Sequence, residues 1–417
     1  MKCRHCACTV TLSLADLGTA PPSNAYLSQD ALHAPERWYP LRVLVCENCW
    51  LVQTEDFAQA HELFDADYAY FSSYASSWLA HAQAYVADMA QRFALGAHSH
   101  VVEVAANDGY LLQYVAQRGI PCLGIEPTAS TAAAARAKGL AVVERFFGVA
   151  LAHDLVAQGQ AADLTTANNV LAHVPDINDF VAGFAVLLKP QGVATFEFPH
   201  LLQLVQQCQF DTLYHEHFSY LSLTAVQRIF AANGLTVFDV QELPTHGGSL
   251  RVWARRSDGV AGPLAEAVHA RVAQLLARET EAGVSRSDFY SDFQTQAIRI
   301  KRELLLFLLS AQARGLKVAA YGAAAKGNTL LNFAGVRPDL VPYVVDRNPA
   351  KQGKFMPGSR IPIVDEAHLK VHKPDYILIL PWNLRQEVMA QLAYAQAWGA
   401  QFVTAVPTLA IAPGLSE

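Results

Sequence analysis

The sequence predicts an α/β protein in three parts: a small N-terminal zinc-binding module, then two successive doubly wound units. Three observations carry this. Four cysteines fall as two C-x-x-C pairs, Cys3/Cys6 and Cys46/Cys49. From about residue 100 the pattern strand, small-residue turn, helix repeats, beginning with "HVVEVAANDGYLLQYVAQRG". After a helical interval the alternation restarts at "KVAAYGAAAKGNTLLNFAG". Alternating strands and helices specify mostly parallel sheets.

Composition narrows the class. The chain has 417 residues, of which 52% are hydrophobic and 16% charged. That length suits two or three domains, and that balance suits buried cores rather than disorder. A net charge of −6 with no long basic run disfavours nucleic acid as a partner. No apolar run is long enough to span a bilayer. The start, "MKCRHCACTV", lacks the apolar core of a signal peptide. The expectation is a cytoplasmic monomer, without membrane or nucleic-acid partners, that acts on a small molecule.

Residues 1–70 form the first expected unit. "LGTAPPSNAYL" reads as a loop, and "WYPLRVLVCENCWLVQ" as a hairpin interrupted by a cysteine-bearing turn. In a reducing compartment, paired cysteines read as metal ligands rather than disulfides. One turn presents two thiolates at C-x-x-C spacing, and two such turns complete a tetrahedral zinc site. Cys3, Cys6, Cys46 and Cys49 are therefore expected to hold one structural zinc per chain. Cys8 is a spare thiol whose spacing fits less well. With four thiolates the site has no open position for catalysis. Cys122 and Cys208 lie in apolar contexts and read as packing residues.

Residues 71–258 form the second expected unit. The helix "SSWLAHAQAYVADMAQRFAL" leads into strands in "HVVEVAANDGY", "PCLGIEP", "ADLTTANNVLAHV" and "GVATFEFPH". "LTVFDVQELPTHGGSLRVWARR" reads as the antiparallel strands that complete the sheet. The first turn carries Glu103, Asn107 and Gly109 but no G-x-G-x-x-G, so a dinucleotide pyrophosphate fits poorly. Glu126 ends the next strand, where a carboxylate can accept both ribose hydroxyls of an adenosine ligand. Asn168 and Asn169 close the fourth strand. An uncharged turn, an acid for the ribose and polar groups after the fourth strand together describe an S-adenosylmethionine site.

These residues carry a resemblance. "EVAANDGYLL", "NNVLAHVPD", "FEFPHLLQL", "YHEHFSYLS", "HGGSLRV" and "YGAAAKGNTLLN" resemble a bacterial methyltransferase family. That family includes the carbon-3 methyltransferases of TDP-4-keto-deoxysugars, and the resemblance covers nearly the whole chain. It implies a class I methyltransferase Rossmann-like domain in the middle and a second Rossmann-like domain after it.

Tyr214, His215, Glu216 and His217 lie together in "LYHEHFSYLS". Three readings compete: a metal site, a hydrogen-bonded turn, and an acid/base site. In an extended segment His215 and His217 would share a face, as a metal requires. The spacing is not that of H-E-x-x-H, and no acidic cluster adjoins it. Carbon methylation favours the acid/base reading. A proton beside a ketone is removed by a base with a near-neutral pKa, and the resulting oxyanion needs a donor. The resemblance places the base at His217, with Tyr214 and Glu216 positioning it or the sugar, and gives His215 no role. It also implies a sugar-facing His173 and a reaction-centre Tyr70, with Tyr68 as the competing register. Ser72 and Ser73 are expected near the methionine carboxylate.

Residues 259–417 form the third expected unit. Two helical stretches, "PLAEAVHARVAQLLARE" and "FQTQAIRIKRELLLFLLSAQARG", precede the strands in "KVAAYGAAAKG", "LVPYVVDRNPAKQG", "PDYILILPW" and "AQFVTAVP". "YGAAAKGN" is not a phosphate loop of G-K-[ST] type, yet a helix N-terminus still offers amides to phosphate. Lys326, Asn328, Asp346, Lys351 and Lys354 are the expected nucleotide-sugar contacts, with Arg251 as a further diphosphate contact. The function expected is S-adenosylmethionine-dependent methylation of carbon 3 of a nucleotide-linked 4-keto-deoxysugar. The alternatives are an O- or N-methyltransferase on another small molecule, a silent sugar-nucleotide binder, and an NAD dehydrogenase.

Overall fold

The computed structural model describes residues 1–57, 71–259 and 268–412. The N-terminal strands β1 (Leu12–Ala20), β2 (Tyr39–Val45) and β3 (Val52–Thr54) pair antiparallel in that order. Leu17–Ala20, read from sequence as loop, is the end of β1. The register shifts between Asp16 and Thr19, and Gly18 sits there at φ 77°. A bulge of this kind lets a stretch of loop-like composition stay paired.

The second sheet is built from β4 (Val101–Val104), β5 (Cys122–Ile125), β6 (Val142–Val143), β7 (Ala162–Asn168) and β8 (Leu188–Pro199). After β8 the chain forms β9 (Ser219–Tyr220), then β10 (Leu235–Leu243) and β11 (Ser249–Arg256). The sheet order is β6-β5-β4-β7-β8-β11-β10. The first five strands are mutually parallel, and β11 runs antiparallel between β8 and β10. β9 is absent from this sheet. It pairs instead with β3 and becomes the fourth strand of the N-terminal sheet.

The third sheet contains β12 (Val318–Tyr321), β13 (Val344–Val345), β14 (Ile363–Val364), β15 (Tyr376–Ile379), β16 (Gln401–Thr404) and β17 (Ala410–Ala412). Its order is β14-β13-β12-β15-β16-β17, parallel except for the last strand. In both parallel sheets the order reverses at the first strand, β4 or β12. Ligands bind at the carboxyl end of such a switch point.

Packing fixes these sheets against one another. The helix Ser76–Arg92 buries Ala82, Tyr85, Val86 and Met89, an i, i+3, i+4, i+7 stripe, against Val101, Phe238 and Trp253. Each of its larger buried side chains contributes about 2 kcal/mol. A separate apolar cluster joins all three parts: Val43 and Val45, then Leu201, Phe210 and Leu213, then Leu304, Ala320 and Leu330. Among the described residues no helix is long and apolar enough to cross a membrane.

Candidate active site and zinc centre

The zinc centre follows from two tight knuckles. Ala7 N donates to Cys3 O at 2.9 Å and Trp50 N to Cys46 O at 2.8 Å. Ala7 and Trp50 adopt left-handed conformations, φ 59° and 62°. The four sulfurs of Cys3, Cys6, Cys46 and Cys49 all lie within 4.8 Å of one another. Cys3–Cys49 and Cys6–Cys46 are each 3.5 Å apart. A tetrahedron with Zn–S bonds near 2.3 Å has edges of about 3.8 Å, so these thiolates fit zinc. Cys8 is exposed and outside the quartet.

At the switch point of the middle sheet, the turn after β4 is tied to Glu126. Asn107 N donates to Glu126 Oε2 at 2.9 Å, and Thr128 N to Glu126 Oε1 at 2.9 Å. The Thr128 hydroxyl also donates to that carboxylate. Asn107 sits at φ 49°, and its Oδ1 accepts from Ser72 N at 2.9 Å. Ser73 N reaches Asp108 Oδ2 at 3.3 Å, and Lys138 Nζ donates to Ser73 Oγ at 2.9 Å. Gly109 has φ 77°, and a Cβ there would meet Leu140 at 2.3 Å. The structure accounts for this glycine by helix packing and chain direction. Burial pushes the Glu103 carboxyl well above the ordinary carboxylate range. Asn168 ends β7 and Asn169 follows it, with Asn169 N donating to Glu197 O at 2.7 Å. The Asn169 amide lies 3.2 Å from His246 Nε2, while its Oδ1 has no partner among the described residues. An orphan acceptor, an anchored carboxylate and a turn whose one acidic group, Asp108, is met by Lys138 fit S-adenosylmethionine. Removing the carboxylate with Glu126→Ala is expected to weaken S-adenosylmethionine binding about 10- to 100-fold by calorimetry, as for lost hydrogen bonds to a charged group.

The "HEH" segment is a turn, with His217 N donating to Tyr214 O at 3.0 Å. His215 and His217 therefore take separate partners, unlike the shared face that an extended segment would have allowed. His215 Nε2 donates to Pro40 O at 3.2 Å, and its ring meets Tyr39 edge-on at 5.9 Å. His217 Nδ1 lies 3.0 Å from Thr212 O, and its Nε2 lies 2.9 Å from the Tyr214 hydroxyl. A carbonyl only accepts, so Nδ1 carries the proton and Nε2 is the basic atom. The same logic applies to His173, whose Nδ1 donates to Glu216 O at 2.7 Å. The His173 and His217 rings are 4.6 Å apart. Burial, with His173 next, pushes His217 well below the usual histidine range. Glu216 Oε1 accepts from Ser23 Oγ, Asn24 N and Asn24 Nδ2 at 2.9–3.1 Å. Its Oε2 has no partner among the described residues. Tyr68 and Tyr70 lie outside the described residues.

The third sheet brings its turn to the same place. Lys326, on the helix Ala325–Ala334, donates to His246 O at 3.0 Å and Asn383 Oδ1 at 3.2 Å. Its ammonium lies 4.6 Å from the Trp382 ring centroid, and Trp382 Nε1 donates to Asp211 Oδ2 at 2.7 Å. Burial pushes Asp211 up to about 6 and lowers Lys326. Asn328 Nδ2 donates to Ser23 O at 2.5 Å, leaving Oδ1 without a partner among the described residues. Asp346 accepts from Ala323 N at 2.7 Å and Asn348 N at 2.8 Å. Lys351 Nζ and the Tyr26 hydroxyl both donate to Ala323 O, at 2.8 and 2.6 Å. Lys354 is half-buried in the following loop. Arg251 does not join this group. Its guanidinium donates to Glu197 Oε2 at 2.6 Å beneath Tyr85. A cation already balanced by a buried carboxylate has little charge left for a diphosphate.

Several residues of this belt were not singled out from sequence: Ser23, Asn24, Tyr26, Asp211, His246 and Trp382. The "HGG" turn held a usable signal. His246 is left-handed at φ 56°, and a Cβ on Gly247 would meet Trp382 at 2.5 Å. A surface groove of about 680 Å³, between the helix Phe293–Ala313 and β17, lies outside the belt and shares no lining residue with it.

A switch-point cradle of this chemistry on a six-parallel, one-antiparallel sheet defines an S-adenosylmethionine-dependent methyltransferase. A methyltransferase domain model matches residues 78–240, a C-methyltransferase C-terminal domain model residues 244–407, and a zinc binding domain model residues 3–64. The chain is 32% identical over 408 residues to C-methyltransferase NovU of Streptomyces niveus, covering 97% of this chain and 95% of that protein. It therefore belongs to the C-methyltransferase family and is an S-adenosylmethionine-dependent C-methyltransferase. Among solved structures it is similar to magnesium protoporphyrin IX methyltransferase from Synechocystis with bound S-adenosylmethionine. There the identity is 17%, over 43% of this chain and 82% of that one, with TM-score 0.32. An S-adenosylmethionine-dependent methyltransferase from Clostridium acetobutylicum gives 10% identity, over 42% and 90%, with TM-score 0.34.

Proposed function

We propose that the enzyme methylates carbon 3 of a nucleotide-linked 4-keto-deoxysugar, with TDP as the nucleotide, and that His217 is the base. The observation that carries this is the tautomer of His217: its Nδ1–H is committed to Thr212 O, so Nε2 is the basic atom beside Tyr214. S-adenosylmethionine, when bound, supplies an electrophilic methyl group; Glu126, the Asn107 turn, Ser72 and Asn169 would hold it.

His217 Nε2 removes the proton from carbon 3, and the electron pair of that C–H bond passes into an enolate on the ketone oxygen. For this the Tyr214 hydroxyl turns away from Nε2, which frees its O–H to donate to the developing oxyanion. His173 and Glu216 Oε2, which has no partner among the described residues, support hydroxyl contacts to the sugar. Lys326, Asn328, Lys351 and Lys354 support the nucleotide diphosphate, with Asp346 bracing the turn that presents the helix N-terminus. Domain divisions near residues 70 and 258 belong to the same reading.

Two measurements bear on it. Mass spectrometry of products from a panel of sugar nucleotides is expected to show one added methyl on carbon for TDP-4-keto-deoxysugars. A methyl found on oxygen or nitrogen would refute the enolate route. The pH profile gives the second. A neutral imidazole is the active base, so activity is lost when it takes a proton. Because the His217 pKa is lowered from 6.5, the acidic limb of kcat/KM is expected below pH 6.5.

A further inference from the structure

We infer that the zinc module forms one wall of the catalytic site, with Ser23, Asn24 and Thr54 as positioning residues for Glu216 and His217. This rests on the proton-transfer reading above. Every residue from His215 to Tyr220 is held by the N-terminal module. His215 is bonded to Pro40 and packed on Tyr39. Glu216 Oε1 takes all three of its hydrogen bonds from Ser23 and Asn24. Thr54 Oγ1 donates to His217 O at 2.6 Å, and Thr54 N to Phe218 O at 3.2 Å. The Arg4 guanidinium lies 5.3 Å over the Phe218 ring. Ser219 and Tyr220, as β9, pair with Gln53 and Val52.

The connection runs back to the metal centre. Gln53 Nε2 donates to Cys3 Sγ at 3.4 Å, and Gln53 Oε1 accepts from Arg4 N at 3.0 Å. Gln53 thus touches a zinc ligand through its side chain and the strand after "HEHF" through its backbone. On the other side, Ser23 O accepts from Asn328, on the helix that follows β12. One loop therefore holds the carboxylate of the middle unit and an amide of the last.

The physical consequence is specific. Glu216 is 1% exposed, and a buried carboxylate keeps a fixed orientation only while its donors stay in place. Withdrawing residues 23–24 strips Oε1 of every partner it has among the described residues. Withdrawing the Thr54 hydroxyl frees the carbonyl that anchors His217. Neither change touches the turn at Asn107 and Glu126. Displacements near an ångström at a reacting centre cost up to about 10²-fold in rate.

The test uses the full-length, zinc-loaded enzyme. Ser23→Ala with Asn24→Ala, and separately Thr54→Val, should lower kcat and the exchange of the carbon 3 proton about 10- to 100-fold. S-adenosylhomocysteine affinity, the KM for S-adenosylmethionine and zinc content should be unchanged. Thr54→Ser and Ser23→Thr, which keep the hydroxyl, should restore kcat. Unchanged kcat and exchange in soluble, zinc-loaded variants would overturn the inference, as would a loss that follows zinc content. If the alanine pair does not fold, Asn24→Asp, which sets a carboxylate against Glu216, is expected to give the same kcat loss with intact zinc; normal kcat would overturn it. Absence of exchange in the unsubstituted enzyme would refute the enolate reading alone. A kcat loss for methyl transfer in these variants would then still support the positioning role.

Discussion

His217→Asn is expected to lower kcat for methyl transfer about 10³-fold, within the usual contribution of a general base. Asparagine is close to the imidazole in reach and polarity, and its amide can still donate toward Thr212 O. It has no basic nitrogen to replace Nε2, the proposed proton acceptor, which the Nδ1 contact to Thr212 O leaves free of a proton. The residue lies apart from the Asn107–Glu126 turn, so S-adenosylhomocysteine affinity should be retained. Steady-state kinetics with both substrates varied separate the two effects. A variant with near-normal kcat would move the base elsewhere, with His173, 4.6 Å away ring to ring, the next group to substitute.

Cys46→Ser is expected to lose zinc and to lower the unfolding midpoint by roughly 10 °C or more, as loss of several kcal/mol does in a domain of this size. The reason is the size of the N-terminal unit. Its sheet has three short strands of its own and borrows the fourth, β9, from beyond residue 200. Cys46 is fully buried and directly follows β2, so the metal ties down the end of that strand. Elemental analysis should give about one zinc per chain before the substitution and none after it. Full stability without zinc would mean that packing alone sustains the module.

The parallel sheets were legible because strand–turn–helix alternation repeats on a local scale. The zinc quartet was legible because two-residue spacing has few other uses. The "HEH" segment differs in shape from the extended stretch that its sequence allowed. "HEH" forms a turn because β9 is drawn to β3, a pairing across the chain that no local period encodes. His215 received no role from sequence because its partners, Tyr39 and Pro40, belong to the N-terminal module. Ser23 and Asn24 read as loop residues for the same reason: their significance depends on Glu216, far along the chain. The pairing of Arg251 with Glu197 on the neighbouring strand was not legible, because its own flanking sequence does not reveal that partner. The close approach at Gly247 likewise depends on Trp382, which lies in a short helix after β15, far along the chain.

The central claim is that this enzyme makes its carbon nucleophile by proton removal before any methyl group moves. It is tested most directly by incubating the unsubstituted enzyme with a TDP-4-keto-deoxysugar and S-adenosylhomocysteine in ²H₂O, and following carbon 3 by NMR. Loss of the carbon 3 proton signal at an enzyme-dependent rate, abolished by His217→Asn, is the result expected. A carbon 3 proton that persists, in enzyme that methylates the same sugar when S-adenosylmethionine is supplied, would contradict it.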